Sequence, residues 1–173
     1  MYSSLSNPIF NALLSADQSR NIGSQEIAVM DIEMSPFIGM SEWTPLKQRQ
    51  LLDQAPPDRT WFLLIEEEVK FIKDLTVSLT LPLCQFVCTS LKKPSPPKQK
   101  IELVPLNESH IEEMIALTTL TKPGPFRKRT IEFGNYHGIF EEGHLVAMGG
   151  ERLHLDGLTE ISAICTHPDF QGR

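Results

Sequence analysis

The chain has 173 residues, 40% of them hydrophobic, which is enough for a core and sets aside wholesale disorder. Its formal net charge of -6 argues against a nucleic-acid binder, which would carry a basic face. Apolar runs such as WFLLI fall far short of a membrane span.

The start, MYSSLSNPIF, shows neither a basic n-region nor a long apolar run, and the three cysteines are an odd count, so the expected setting is reducing and cytoplasmic. NPIFNALLS reads as a short helix with Asn7 as cap and Pro8 at its first position. EIAVMDI alternates like a strand, and SEWTPLKQRQLLDQ reads as a helix starting on a capping serine, followed by the turn APPD. WFLLIEE and LTVSLTLPLCQFVCTS are rich in β-formers, with Pro82 separating two strands in the second. Cys84 and Cys88 lack the further close ligands that a structural zinc site needs, so they read as small core residues on one strand face and no metal is expected.

The sharpest boundary is KKPSPPKQK, Lys92 to Lys100, with prolines and lysines but no apolar anchor. It divides the chain into an α/β subdomain of unknown role over 1–91, a linker over 92–100 and a second domain over 101–173, with trypsin expected to cut the linker first.

Beyond it, IELVPL reads as a strand and Asn107 caps the helix ESHIEEMIALTTL, whose face is Ile111, Met114, Ile115 and Thr118. His110 reads as a solvated first-turn residue. TKPGPFRKRTIEF follows as a loop and short helix. YHGIFE, HLVAMGGERL and TEISAICTH then form a meander through Glu142-Gly143 and Asp156-Gly157, the latter an Asp-Gly hairpin signal. Gly149 and Gly150 sit mid-strand, where a bulge explains them better than close approach of a substrate. The fold class expected is α/β (α+β): a mixed, largely antiparallel sheet with flanking helices.

This order, together with GPFRKRTIEFGNYHGIFEEGHLVAMGGERL and GLTEISAICTHPDFQGR, resembles the GNAT superfamily of N-acetyltransferases, in particular its FR-type bacterial branch, over about Ile101 to Arg173. The family's cofactor signature is Gln or Arg, two residues, Gly, one residue, then Gly or Ala. Gln171, Gly172 and Arg173 stand at its beginning, so the resemblance implies a chain truncated inside the diphosphate loop. Successive backbone N–H groups leading into a helix N-terminus are what hold diphosphate there. The implied reaction is acetyl transfer from acetyl-CoA to a primary amine by direct attack, with inactivity or weak cofactor binding expected of the chain as it stands.

By the same resemblance, main-chain groups of Ile164, Cys165 and Thr166 hold pantetheine, with Gln171, Gly172 and Arg173 at the diphosphate. Glu160, eleven residues before Gln171, is the general base. Its other reading is a salt bridge to Arg152. Glu151 is the runner-up base, and His137 and His167 are lesser relay candidates. Cys165 reads as a core residue rather than a nucleophile. The family's acid, a tyrosine on a later helix, has no counterpart in Tyr2 or Tyr136. The acceptor is a small-molecule or protein amine. No nucleic-acid or membrane partner is expected. The alternative is a non-catalytic remnant or interaction module, whose exposed TEISAICT edge would let it pair with another chain, as in a homodimer.

Overall fold

The structure, a computed structural model, describes residues 2–55, 59–92 and 101–172. Helix α1 spans Pro8–Leu13 with Pro8 at its first position, where a missing N–H costs nothing. Asn7 precedes it but does not cap it by its side chain; its amide instead donates to the Met40 carbonyl at 2.8 Å. Strands β1 (Ile27–Val29) and β2 (Ile38–Met40) pair antiparallel as a small ribbon. Helix α2 (Pro45–Gln54) is capped by Thr44, which accepts from the Lys47 N–H, and not by Ser41.

The strands expected over WFLLIEE and LTVSLTLPLCQFVCTS are not formed. Only Phe62 makes an isolated bridge, to Phe37. Leu79, Leu81, Leu83 and Phe86 are exposed, and so are Cys84 and Cys88, which are therefore not core residues. Their β-propensity is unrealised because no second strand lies beside them to supply cross-strand contacts.

The larger sheet has the order β3-β4-β5-β6 and is antiparallel throughout: Val104–Pro105, His137–Glu141, His144–Leu155 and Leu158–Thr166. IELVPL is thus a much shorter strand than expected. The meander follows the sequence reading. Glu142 and Gly143 both take positive φ, as a tight two-residue hairpin requires. Helix α3 (Ile111–Thr121) follows a turn in which Asn107 accepts from Ser109 N–H while His110 Nδ1 accepts from Asn107 N–H. His110 therefore completes a capping box rather than merely facing solvent. The helix buries Met114, Leu117 and Thr118, leaving Ile111 and Ile115 half-buried.

One apolar cluster joins Ile9, Leu13, Met30 and Phe37 to Met114, Leu153 and Cys165. It crosses the division expected at 92–100: α1 packs on β5, and Thr130 donates to the Met34 carbonyl. Of the expected linker, Lys93 to Lys100 lies outside the described residues, as does the APPD turn after Ala55. No helix among the described residues is long and apolar enough to cross a membrane.

Candidate functional site

Strand β6 forms one edge of the sheet, so the outer N–H and C=O groups of its backbone have no strand partner among the described residues. Its pairing with β5 is irregular. Register shifts fall between Met148 and Gly150 and between Glu151 and His154, and Ala163 stands at φ 52°. A non-glycine residue there costs roughly 1–2 kcal/mol, so the surrounding pairing must hold it in place. The bulge expected at Gly149-Gly150 is present, and close packing accompanies it. A Cβ on Gly150 would lie 2.4 Å from the Tyr136 ring, and one on Gly149 2.2 Å from Ile164 Cδ1. Neighbouring side chains make those approaches.

The irregular pairing sorts the polar side chains into two clusters. In the first, Arg152 donates from Nε to Glu160 Oε2 at 2.9 Å and from Nη2 to Oε1 at 2.5 Å. The Arg152 guanidinium lies over the ring of Phe37, 5.1 Å from its centroid. Tyr136 is buried near the pair. Burial pushes its phenol well above the ordinary range, with Arg152 opposing and Glu160 reinforcing the shift. Its hydroxyl has no hydrogen-bond partner among the described residues, while its ring meets Phe126 edge-on. Glu160 thus sits in the ion pair that was its alternative reading.

The second cluster is a chain of carboxylates around one imidazole. Asp17 is completely buried, accepts from the His154 N–H at 2.8 Å, and faces His154 Nδ1 at 3.0 Å and Arg20 Nη1 at 2.6 Å. His154 Nε2 lies 3.1 Å from Glu151, whose other oxygen accepts from Asn135 at 2.8 Å. Hydrogen bonds from Asn135 and then His154 hold the Glu151 carboxyl below its ordinary value. Glu151 borders a depression of about 380 Å³ on the sheet face, shared with Leu103, His137, Gly149 and Ile164. Glu160 does not border it. Sequence reasoning missed Asp17 and His154, which are 137 positions apart and carry no local signal of their pairing.

Cys165 is buried, and burial raises its thiol, so it is a packing residue rather than a nucleophile. Ile164 is exposed on the opposite face. After β6, His167 caps the short turn Pro168–Phe170 by accepting from the Asp169 N–H at 3.3 Å. Gln171 donates to the Thr166 carbonyl at 3.2 Å, and Gly172 takes φ 75°. The chain therefore leaves the strand in an ordered turn with glycine at a left-handed position. Arg173 lies outside the described residues. His137 Nδ1 faces the Asn135 carbonyl at 3.1 Å. Among the described residues, no group of three or more His, Cys, Asp or Glu is placed to hold a metal ion.

No family model matches the chain, and no curated protein matches it. Among solved structures, one from Novosphingobium aromaticivorans DSM 12444, described as an acetyltransferase from the GNAT family, superposes with a TM-score of 0.77. Its sequence identity is 24%, over 98% of this chain and 74% of that one. At that identity the likeness is one of fold: the mixed α/β arrangement here, with its antiparallel sheet, is similar to that of this structure.

Proposed function

We propose that this chain is an acetyl-CoA-dependent N-acetyltransferase acting on a primary amine, of the FR-type branch to which the CTHPDF segment points. The observation that carries the reading is the fold likeness over nearly the whole chain. The edge position of β6 supports it, because a strand edge presents the amide pattern that a pantetheine arm can extend. Ile164, Cys165 and Thr166 would hold that arm through backbone groups, and the Gln171-Gly172 turn, with Arg173, would approach the diphosphate.

The acceptor amine, mostly protonated at neutral pH, must lose a proton before it attacks. Glu160 takes that proton, directly or through water. The freed nitrogen lone pair attacks the thioester carbonyl carbon, the C–S bond breaks, an amide forms, and the thiolate leaves to be protonated. No acyl-enzyme is needed, in keeping with the buried, weakly acidic thiol of Cys165. Glu151, which borders the depression on the sheet face and whose carboxyl Asn135 and His154 hold below its ordinary value, is the second candidate base.

Binding is tested by titrating acetyl-CoA into labelled protein and following backbone amides by NMR. Shifts centred on Ile164 to Thr166 are expected. Saturating acetyl-CoA that leaves Ile164 to Thr166 unmoved would overturn the reading.

A further inference from the structure

Arg152 and Glu160 lie side by side on neighbouring strands, and Glu160 occupies one edge of the guanidinium, Nε with Nη2. A guanidinium has a second edge, formed by Nη1 and the remaining Nη2 proton, with the same fork geometry for a carboxylate. Among the described residues, the protein bonds to Arg152 run only from Nε and Nη2. The guanidinium carbon lies over the Phe37 ring, 5.1 Å from its centroid, and the unbonded Nη1 edge is where another polar partner would bind. The Arg152 side chain is 17% exposed and that of Glu160 34%, so solvent reaches the pair. Beside them stands Tyr136, 3% exposed, with a hydroxyl that no group among the described residues satisfies. Native proteins leave few such groups without a partner.

We infer that this pair is a zwitterion site, and that the acceptor is a free α-amino acid. Its carboxylate binds the open edge of Arg152 and its ammonium lies against Glu160. The inference rests on the transferase reading for the ligand's role as acceptor, but not for its binding. An α-amino acid carries its two opposite charges on one carbon, matching a cation and an anion held edge to edge. A simple amine satisfies only Glu160, and a protein N-terminus brings no α-carboxylate. The same arrangement prepares the base. A guanidinium shared between two carboxylates holds each less firmly, and the ammonium proton that must leave is brought to Glu160.

The test uses the whole chain and follows the Arg152 Nε–H resonance by NMR as each standard L-amino acid is added singly at millimolar concentration. At least one is expected to shift that resonance saturably. The amide and the decarboxylated amine of the best binder are expected to bind about tenfold more weakly or worse, the loss that follows from removing one charged hydrogen-bonding partner. Arg152→Lys should abolish the preference for the acid, since a point charge lacks the fork. The comparison among ligands on the unaltered protein decides the matter even if that variant fails to fold. No response to any amino acid, or equal binding of acid and amide, overturns the zwitterion site. Acetyl-CoA is titrated separately. Shifts at Ile164 to Thr166 without an amino-acid response would discard this acceptor class and keep the transferase. An amino-acid response without acetyl-CoA binding would keep the site and discard its role in acetyl transfer.

Discussion

Replacing Glu160 by Gln keeps the size of the side chain and removes its capacity to take a proton. The acetylation rate of the active protein is expected to fall about 10²-fold or more, the usual contribution of a placed general base, with acetyl-CoA affinity nearly unchanged. Coenzyme A release at saturating amine measures the first and the NMR titration the second; an unchanged rate across the pH profile would remove Glu160 from the mechanism. Glu151 makes a different statement at this scale. Its carboxyl is held low by Asn135 and His154, so it contributes stability above the ordinary carboxylate range, and that contribution is lost as pH falls through its lowered folded value. Glu151→Gln should therefore lower the urea midpoint at neutral pH, and the gap from the unaltered protein should close in acid. Gly150→Ala would drive a methyl into the Tyr136 ring, at an expected cost of about 1–3 kcal/mol by denaturant unfolding. Gly143→Ala, with open space around it but φ at 83°, should cost only backbone strain of about 1–2 kcal/mol.

Two kinds of element stand out. The α2 helix begins where a threonine hydroxyl can accept from the third residue on, so Thr44→Ala should cost about 1 kcal/mol. Ser41, whose hydroxyl instead accepts from the Lys47 ammonium at 2.7 Å, should be nearly silent by the same unfolding measurement. The stretch from Val77 to Phe86 carries alternating apolar residues without joining a sheet, and the side chains at 79, 81 and 83 remain in solvent. Residues of that kind, with no backbone ladder to hold them, are open to proteases. Chymotrypsin is expected to cut at Leu83 or Phe86 before any site in β4 to β6. Early cutting within the meander would mean that this stretch is protected in solution.

Across the whole molecule, the shared core makes the two sides of the expected linker depend on each other. Ile9 is fully buried in the cluster that also holds Leu153 and Cys165. Ile9→Ala should cost about 2–5 kcal/mol, and amides of β5 should lose hydrogen-exchange protection together with those of α1. Residues 101–173 expressed alone should show no cooperative unfolding, because they would expose the faces of β5 that α1 and Phe37 cover.

Local chemistry alone determined a good part of this. The Glu142-Gly143 and Asp156-Gly157 turns, the alternation of apolar residues between them, Pro8 opening a helix and Asn107 capping another are all short-range features, so the meander and its flanking helices were legible in order. The choice between base and salt bridge that Glu160 posed was legible in the same way. Only the tertiary structure decided the rest, because the deciding contacts are remote in sequence. β-propensity in WFLLIEE and LTVSLTLPLCQFVCTS came to no more than the single bridge at Phe62 without a neighbouring strand. A proline-rich boundary said nothing about which side chains would meet across it. Asp17 reached His154, and Arg152 came to lie on Phe37 with Glu160 at one edge and another left open, through the burial of one core that no single segment specifies.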